Sequence, residues 1–161
     1  MIPDMGIWRG IELIGVQSAL IGGVYVKQDH NKVSESIVKL DIEIETEYAV
    51  SDSLKIRAKL TAPNGSIIET ENEIVNKTIL SLNIPNAELW YPRGYGEQPL
   101  YELAMALIDK NGETVDSRKL KIGLRTVSVS RDKLAKANGT DNGEEFAFVV
   151  NGIKILAQPP K

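Results

Sequence analysis

Bond-breaking chemistry draws on a short list of side chains, and this chain offers few of them in usable patterns. It has one histidine, His30, and no cysteine in 161 residues. The absence of cysteine excludes disulfides, thiol nucleophiles and thiolate metal sites. A serine–histidine–aspartate triad would have to use His30, which falls in the polar stretch 28–34 with no nucleophile motif near it. One histidine without cysteines is a poor start for a zinc site. Carboxylates are plentiful, but a retaining glycosidase needs two of them about 5 to 5.5 Å apart in a cleft, one with a raised pKa. Here most acids alternate with apolar residues, which puts them on solvent faces. Glu144 and Glu145 are adjacent and would point to opposite sides of a strand. Asp141-Asn142-Gly143-Glu144 lacks the ligand alternation and terminal glutamate of a calcium loop and reads as a solvated loop. No glycine-rich phosphate loop is present. Asn76-Lys77-Thr78 and Asn138-Gly139-Thr140 fit the glycosylation pattern, which matters only in a eukaryotic secreted protein. No catalytic residue, metal site or cofactor site is indicated.

The stretch that draws attention is Ala87 to Tyr101, with one of the two tryptophans and three of the five tyrosines. Pro92, Gly94, Gly96 and Pro99 rule out a helix or a central strand, so it is an irregular connection. Large aromatics are not spent on a passive linker. The favoured reading is that Trp90 and Tyr95 pack over the end of the local core; a ligand platform is the alternative.

The elements around this stretch are strands. Val38, Leu40, Ile42, Ile44 and Tyr48 alternate with Lys39, Asp41, Glu43, Glu45 and Glu47. Leu54, Ile56, Ala58 and Leu60 alternate with Lys55, Arg57 and Lys59. Period two specifies half-buried strands. If these two are hairpin neighbours, their charges pair across strands. If they belong to two sheets of a sandwich, the charges coat opposite outer surfaces. The second arrangement is preferred. It predicts Lys55, Arg57, Lys59, Lys119 and Lys121 on one face and Asp41, Glu43 and Glu45 on the other.

Further strands are expected over 19–27, with Leu20, Val24 and Val26 on one face and a bulge at Gly22-Gly23, and over 66–73, at a sheet edge. Others are expected over 76–84 and 101–109. A hairpin at Asn111-Gly112 leads into an arm from Thr114 to about Val127, and a last hairpin turns at Asn151-Gly152. Residues 131–138 offer a short helix without an apolar stripe. About seven strands at spacings of about 10 residues indicate an all-β fold, an immunoglobulin-like antiparallel β-sandwich with N- and C-terminal extensions. Net charge is −3, which gives no reason to expect nucleic acid as partner. No apolar run reaches the roughly 20 residues of a membrane helix. The first six residues do not form a signal peptide and do not look like a natural start; the run that follows begins as though the chain had been cut there.

Four motifs resemble one family, glycoside hydrolase family two, in family order over almost the whole chain. Gly6-Ile7-Trp8-Arg9 is similar to the Gly-Ile-Trp-Arg that closes the family's sugar-binding-like first domain. Glu88 to Tyr101 resembles its LWWPNGYGEQPLY stretch, especially as it stands in β-mannosidases. Ile122-Gly123-Leu124-Arg125-Thr126 is similar to the IGFRT that ends the immunoglobulin-like domain. Phe146 to Leu156 resembles the hairpin leading into the catalytic barrel. The resemblance implies three parts: 1–18, a remnant of the upstream domain and linker; 19–128, the sandwich; 129–161, a linker and hairpin toward a barrel that is absent. It implies a non-catalytic spacer from a retaining, β-mannosidase-like glycosidase, because the family's catalytic glutamates would follow the last hairpin. Trp8, Arg9, Trp90, Tyr95 and Arg125 are its candidate structural or interdomain residues. The expected partners are flanking domains of the same parent chain, with carbohydrate met only through the parent enzyme and no nucleic acid or membrane. The bacterial cytoplasm is the compartment expected for that parent. A stand-alone carbohydrate-binding module or a fibronectin-like interaction domain remain as alternatives.

Overall fold

The computed structural model describes residues 6, 10, 11, 13, 15, 16, 18–30, 37–48, 54–74, 77–133 and 144–155, with backbone only at 48, 132, 133, 144 and 145. Ten strands lie within this set: β1 (Ala19–His30), β2 (Ile37–Tyr48), β3 (Lys55–Thr61), β4 (Ile67–Glu73), β5 (Lys77–Pro85), β6 (Tyr101–Ile108), β7 (Thr114–Ile122), β8 (Val127–Lys133), β9 (Glu144–Val150) and β10 (Ile153–Ile155). They form three antiparallel sheets. The first has the order β1-β2-β5, the second β4-β3-β6-β7, and a small third one β10-β9-β8.

The first two sheets face each other as an immunoglobulin-like sandwich. Their inward residues make one core, which includes Ile42, Ile44 and Leu80 from one sheet and Ile56, Leu103 and Leu107 from the other. β2 and β3 lie in different sheets, so the chain crosses between layers after residue 48. β4 is an edge strand, and the β6–β7 hairpin closes at Gly112, whose φ of 87° only glycine adopts without strain.

The Gly22-Gly23 bulge is present, and it changes the phase of β1. The pairing with β2 shifts between Ile21 and Gly23, so Ala19 and Ile21 point inward before the bulge and Val24 and Val26 after it. Leu20 therefore does not share a face with Val24 and Val26. The bulge frees the Ile21 N–H, which donates to Asp116 Oδ2 of β7 at 2.8 Å. One carboxylate thus ties the edges of the two sheets together.

The charged faces lie where alternation puts them, but the expected electrostatic asymmetry is largely cancelled. β4 runs Glu69, Glu71 and Glu73 directly beside Lys59, Arg57 and Lys55. Glu71 meets both Arg57 Nη2 at 2.9 Å and Lys55 Nζ at 3.3 Å. On the other sheet Glu43 is paired with Lys27 and with Lys77 Nζ at 3.1 Å. The edge strands β1, β5 and β4 supply the countercharge that the central strands β2 and β3 lack.

Three further expectations are corrected. His30 ends β1 and does not lie in a loop. The arm from Thr114 breaks at Gly123, and β8 starts afresh at Val127. Residues 131–133 are strand, paired to β9, and not the start of a helix, as the missing apolar stripe would suggest. The rest of that proposed helix, 134–138, lies outside the described residues. So do the putting-together of Asp141 to Gly143 as a loop and the glycosylation asparagines 76 and 138. Among the described residues no helix is long and apolar enough to cross a membrane.

Candidate functional site: a junction at one end of the sandwich

Four segments far apart in sequence converge beyond the end of β7. The connection from β5 to β6 enters through a parallel bridge between Leu89 and Leu124, reinforced by Trp90 N–H donating to Leu124 O at 2.9 Å. Leu124 is fully buried. The Trp90 ring lies on Gly123, where an added Cβ would stand 2.9 Å from Trp90 Cγ. That glycine is what allows the ring to approach the backbone. The Arg125 guanidinium covers the ring at 4.5 Å from its centroid, a cation–π contact.

From β1, the Gln28 side chain acts as a stand-in peptide group. Its Nε2 donates to Gly123 O at 3.1 Å, and its Oε1 accepts the Arg125 N–H at 2.9 Å. His30 Nε2 lies 3.1 Å from the same Oε1. Burial pushes the His30 pKa below its ordinary value, with neighbouring Asp29 opposing it. From the β9–β10 turn comes Asn151, held at φ 49°. Its N–H donates to Thr126 O at 3.1 Å, its Oδ1 accepts the Thr126 N–H at 2.8 Å and the Thr126 hydroxyl at 3.5 Å, and its Nδ2 donates to Trp90 O at 3.0 Å.

Of the residues singled out from sequence, Trp90 and Arg125 meet here. Trp8 and Arg9 lie outside the described residues. Tyr95 lies in the 92–98 loop, 37% exposed and outside the buried core cluster. The loop is held by Tyr95 N–H donating to Pro92 O and Tyr91 N–H to Glu97 O, with Gly94 and Gly96 at positive φ on either side of Tyr95. The ring that seals this end of the core is Tyr101, at 1% exposure. Its hydroxyl accepts the Glu88 N–H at 2.8 Å, much as the tyrosine corner of immunoglobulin-like domains fixes the same connection. Gln28 was not singled out from sequence, Gly123 was read only as part of the Ile122 to Thr126 motif, and Asn151 only as half of a hairpin turn. A further signal was available at Gln28, a polar residue in phase with Val24 and Val26 on β1.

Away from this junction, four acids are held by hydrogen-bonding or cationic partners. Ser81 and Lys39 hold Asp41 below the ordinary carboxylate range, Lys27 and Lys77 do so for Glu43, and Arg57 and Lys55 for Glu71. Backbone N–H groups of the β6–β7 turn, Glu113 foremost, lower Asp109. A glycosidase acid needs the opposite shift. Among the described residues no group of three or more histidine and acidic side chains could hold a metal ion. Glu144 and Glu145 fall in β9, and their side chains lie outside the described set.

The described residues form an immunoglobulin-like sandwich with a hydrogen-bonded joint at one end, and comparison with known proteins assigns its family. Residues 19–125 match the model of glycosyl hydrolases family 2, and the chain belongs to that family. It is 31% identical over 167 residues to a beta-mannosidase B of Emericella nidulans, covering 97% of this chain and 18% of that protein. A beta-mannosidase B of Aspergillus terreus is 28% identical over 163 residues, covering 97% and 17%. Among solved structures, the beta-D-mannosidase from Dictyoglomus thermophilum superposes with a TM-score of 0.75 at 28% identity, covering 95% of this chain and 18% of that one. A putative beta-galactosidase from Bacteroides fragilis shares the fold, with a TM-score of 0.67 at 16% identity, covering 87% and 20%. The chain therefore spans less than a fifth of the length of the curated relatives it matches.

Proposed function

We propose that this chain is a non-catalytic spacer domain of a β-mannosidase-like retaining glycosidase, holding a sugar-binding domain and a catalytic barrel in register. The observation that carries this reading is the state of the acids. Asp41, Glu43 and Glu71 sit on the outer faces of the two sheets, each with a hydrogen-bonding or cationic partner and each with a lowered pKa. None is poised to donate a proton to a leaving group. The match to β-mannosidases over 97% of this chain but 17% to 18% of theirs supports a part with a mechanical role. Trp90 and Arg125 would then serve the joint between domains. The purified chain should turn over an aryl β-mannoside no faster than buffer does. Turnover that follows the protein through purification would overturn the proposal.

A further inference from the structure

The outer face of the first sheet bears the ring of Tyr25, 61% exposed in the middle of β1. Strand register sets Tyr25 beside Glu43 and Gly23 beside Glu45. Residues two apart on a strand share a face, so these four stand together, and they line an open cleft of about 240 Å³. Gly22, which the register skips, accounts for the bulge; Gly23 pairs regularly with Glu45. The φ of Gly23 is not in the left-handed region, and an added Cβ would meet nothing nearer than Glu45 Oε2 at 3.3 Å, the free end of a flexible side chain. Neither backbone nor packing demands glycine there. A strand glycine without such a reason marks the close approach of something else.

The charges of the patch are unevenly satisfied. Glu43 holds both Lys27 and Lys77 Nζ, the second at 3.1 Å. Lys77 lies directly opposite Glu45 in the register yet turns to Glu43. Among the described residues the exposed Glu45 carboxylate has neither a hydrogen-bonding nor a cationic partner. Lys27 Nζ stands 5.7 Å from the centroid of the Tyr25 ring.

We propose that this cleft is a subsite for one ring of a neutral sugar. The C–H face of the sugar packs on Tyr25, the Glu45 carboxylate accepts hydrogen bonds from adjacent hydroxyls, and Gly23 leaves the ring room between them. The charges decide against other ligand classes. An organic cation would meet the Lys27 ammonium already beside the Tyr25 ring. An anion would meet the unneutralised Glu45. A purely apolar ligand would take Glu45 out of water without a partner, which costs free energy. A neutral polyol offers donors to Glu45 and an apolar face to Tyr25 at once. The volume limits the ligand to a single ring, since sites for drug-sized molecules occupy roughly 300 to 1,000 Å³. The proposal goes beyond the spacer reading and does not depend on it.

The test is a titration of the isotopically labelled chain with methyl β-mannoside, methyl β-glucoside and tetramethylammonium, followed by amide NMR. At least one of the sugars should shift the amides of Gly23, Tyr25 and Glu45 saturably in the millimolar range, with the amides of β3 and β6 unmoved. Tyr25→Ala should weaken that binding at least about tenfold and Glu45→Gln several-fold, with circular dichroism showing both variants folded. Gly23→Ala keeps the ring and the carboxylate but fills the notch, and should also weaken it. Absence of a saturable shift with both sugars overturns the proposal, as does affinity unchanged in Tyr25→Ala and Glu45→Gln. Saturation by tetramethylammonium without a response to either sugar overturns it too, and assigns the cleft to an organic cation. Aryl mannoside turnover tests the spacer reading separately, whatever this titration shows.

Discussion

Replacing Gly123 by alanine sets two opposing effects against each other. In an extended segment a Gly→Ala change restricts the unfolded chain and stabilises by about 0.4 to 1 kcal/mol, provided the native backbone suits alanine. Gly123 is not among the positive-φ glycines, so that condition is met. Against this, the new methyl would stand 2.9 Å from Trp90 Cγ, 3.0 Å from Cβ and 3.1 Å from Cδ1. Those atoms are the root of the ring, not a flexible end. Trp90 is held through its N–H to Leu124 O and its carbonyl to Asn151 Nδ2, so the ring must tilt and leave Arg125. Overpacking of this kind costs about 1 to 3 kcal/mol, and the lost cation–π contact about 0.5 to 1 kcal/mol more. The net is a loss of about 1 to 3 kcal/mol. For a chain of this size that lowers the melting temperature by roughly 2 to 4 °C per kcal/mol. Thermal unfolding followed by circular dichroism measures it. The decisive control is the same change in a Trp90→Ala background, where the clash has no partner and Gly123→Ala should be neutral or stabilising. An equal penalty in both backgrounds would refute the packing account of this glycine.

Other outcomes follow from the same geometry. Tyr101→Phe leaves the Glu88 N–H without its acceptor and should cost about 1 to 3 kcal/mol in urea unfolding, with no change in the slope; a loss below about 0.5 kcal/mol would deny the corner its role. Asn151→Gly keeps the positive-φ turn but removes the side-chain bonds, so the Thr126 amide should exchange with solvent faster while core amides of β3 and β6 are unchanged; uniform loss of protection would mean the joint is not local. Acid should destabilise in two stages. His30 has a lowered folded pKa, so its contribution is present above the ordinary 6.5 and is lost as pH falls below it. Asp41, Glu43, Glu71 and Asp109 are also lowered, so theirs is present above the ordinary carboxylate range and is lost as pH falls through the depressed values. Salt should blunt the second stage, because these pairs are exposed. A denaturation midpoint that stays flat from neutral pH down to about 3 would contradict both assignments.

The strands of the sandwich were legible because alternation is a local signal. Ile42 and Glu43, or Leu80 and Ser81, declare their faces without reference to anything distant. The bulge at Gly22-Gly23 was legible too, yet its consequence was not: a one-residue shift reverses inside and outside for everything before it, and Leu20 was read in the wrong phase. The charge pattern misled for a related reason. Each strand's charges were visible, but which strand lies beside which is a property of the sheet order. The joint was the least legible part. Gln28 and Arg125 are 97 positions apart and Asn151 and Trp90 are 61 apart, and no local pattern in any of these segments names its partner. Trp90 and Arg125 stood out by residue type and motif alone.

Asparagine followed by glycine is the dipeptide most open to spontaneous deamidation, since the unhindered glycine nitrogen can attack the side-chain amide. Asn151-Gly152 is such a pair, and both ends of its amide are engaged, by Thr126 and by Trp90. Asn111-Gly112 is another, in an exposed hairpin turn where its Nδ2 meets only the neighbouring Asp109. In stored protein the second should age first, and the ratio of the two rates becomes a slow chemical clock for how often the joint swings open. Once Asn151 has turned to aspartate, a negative oxygen faces the Trp90 carbonyl where a donor used to be, and that bond cannot form again.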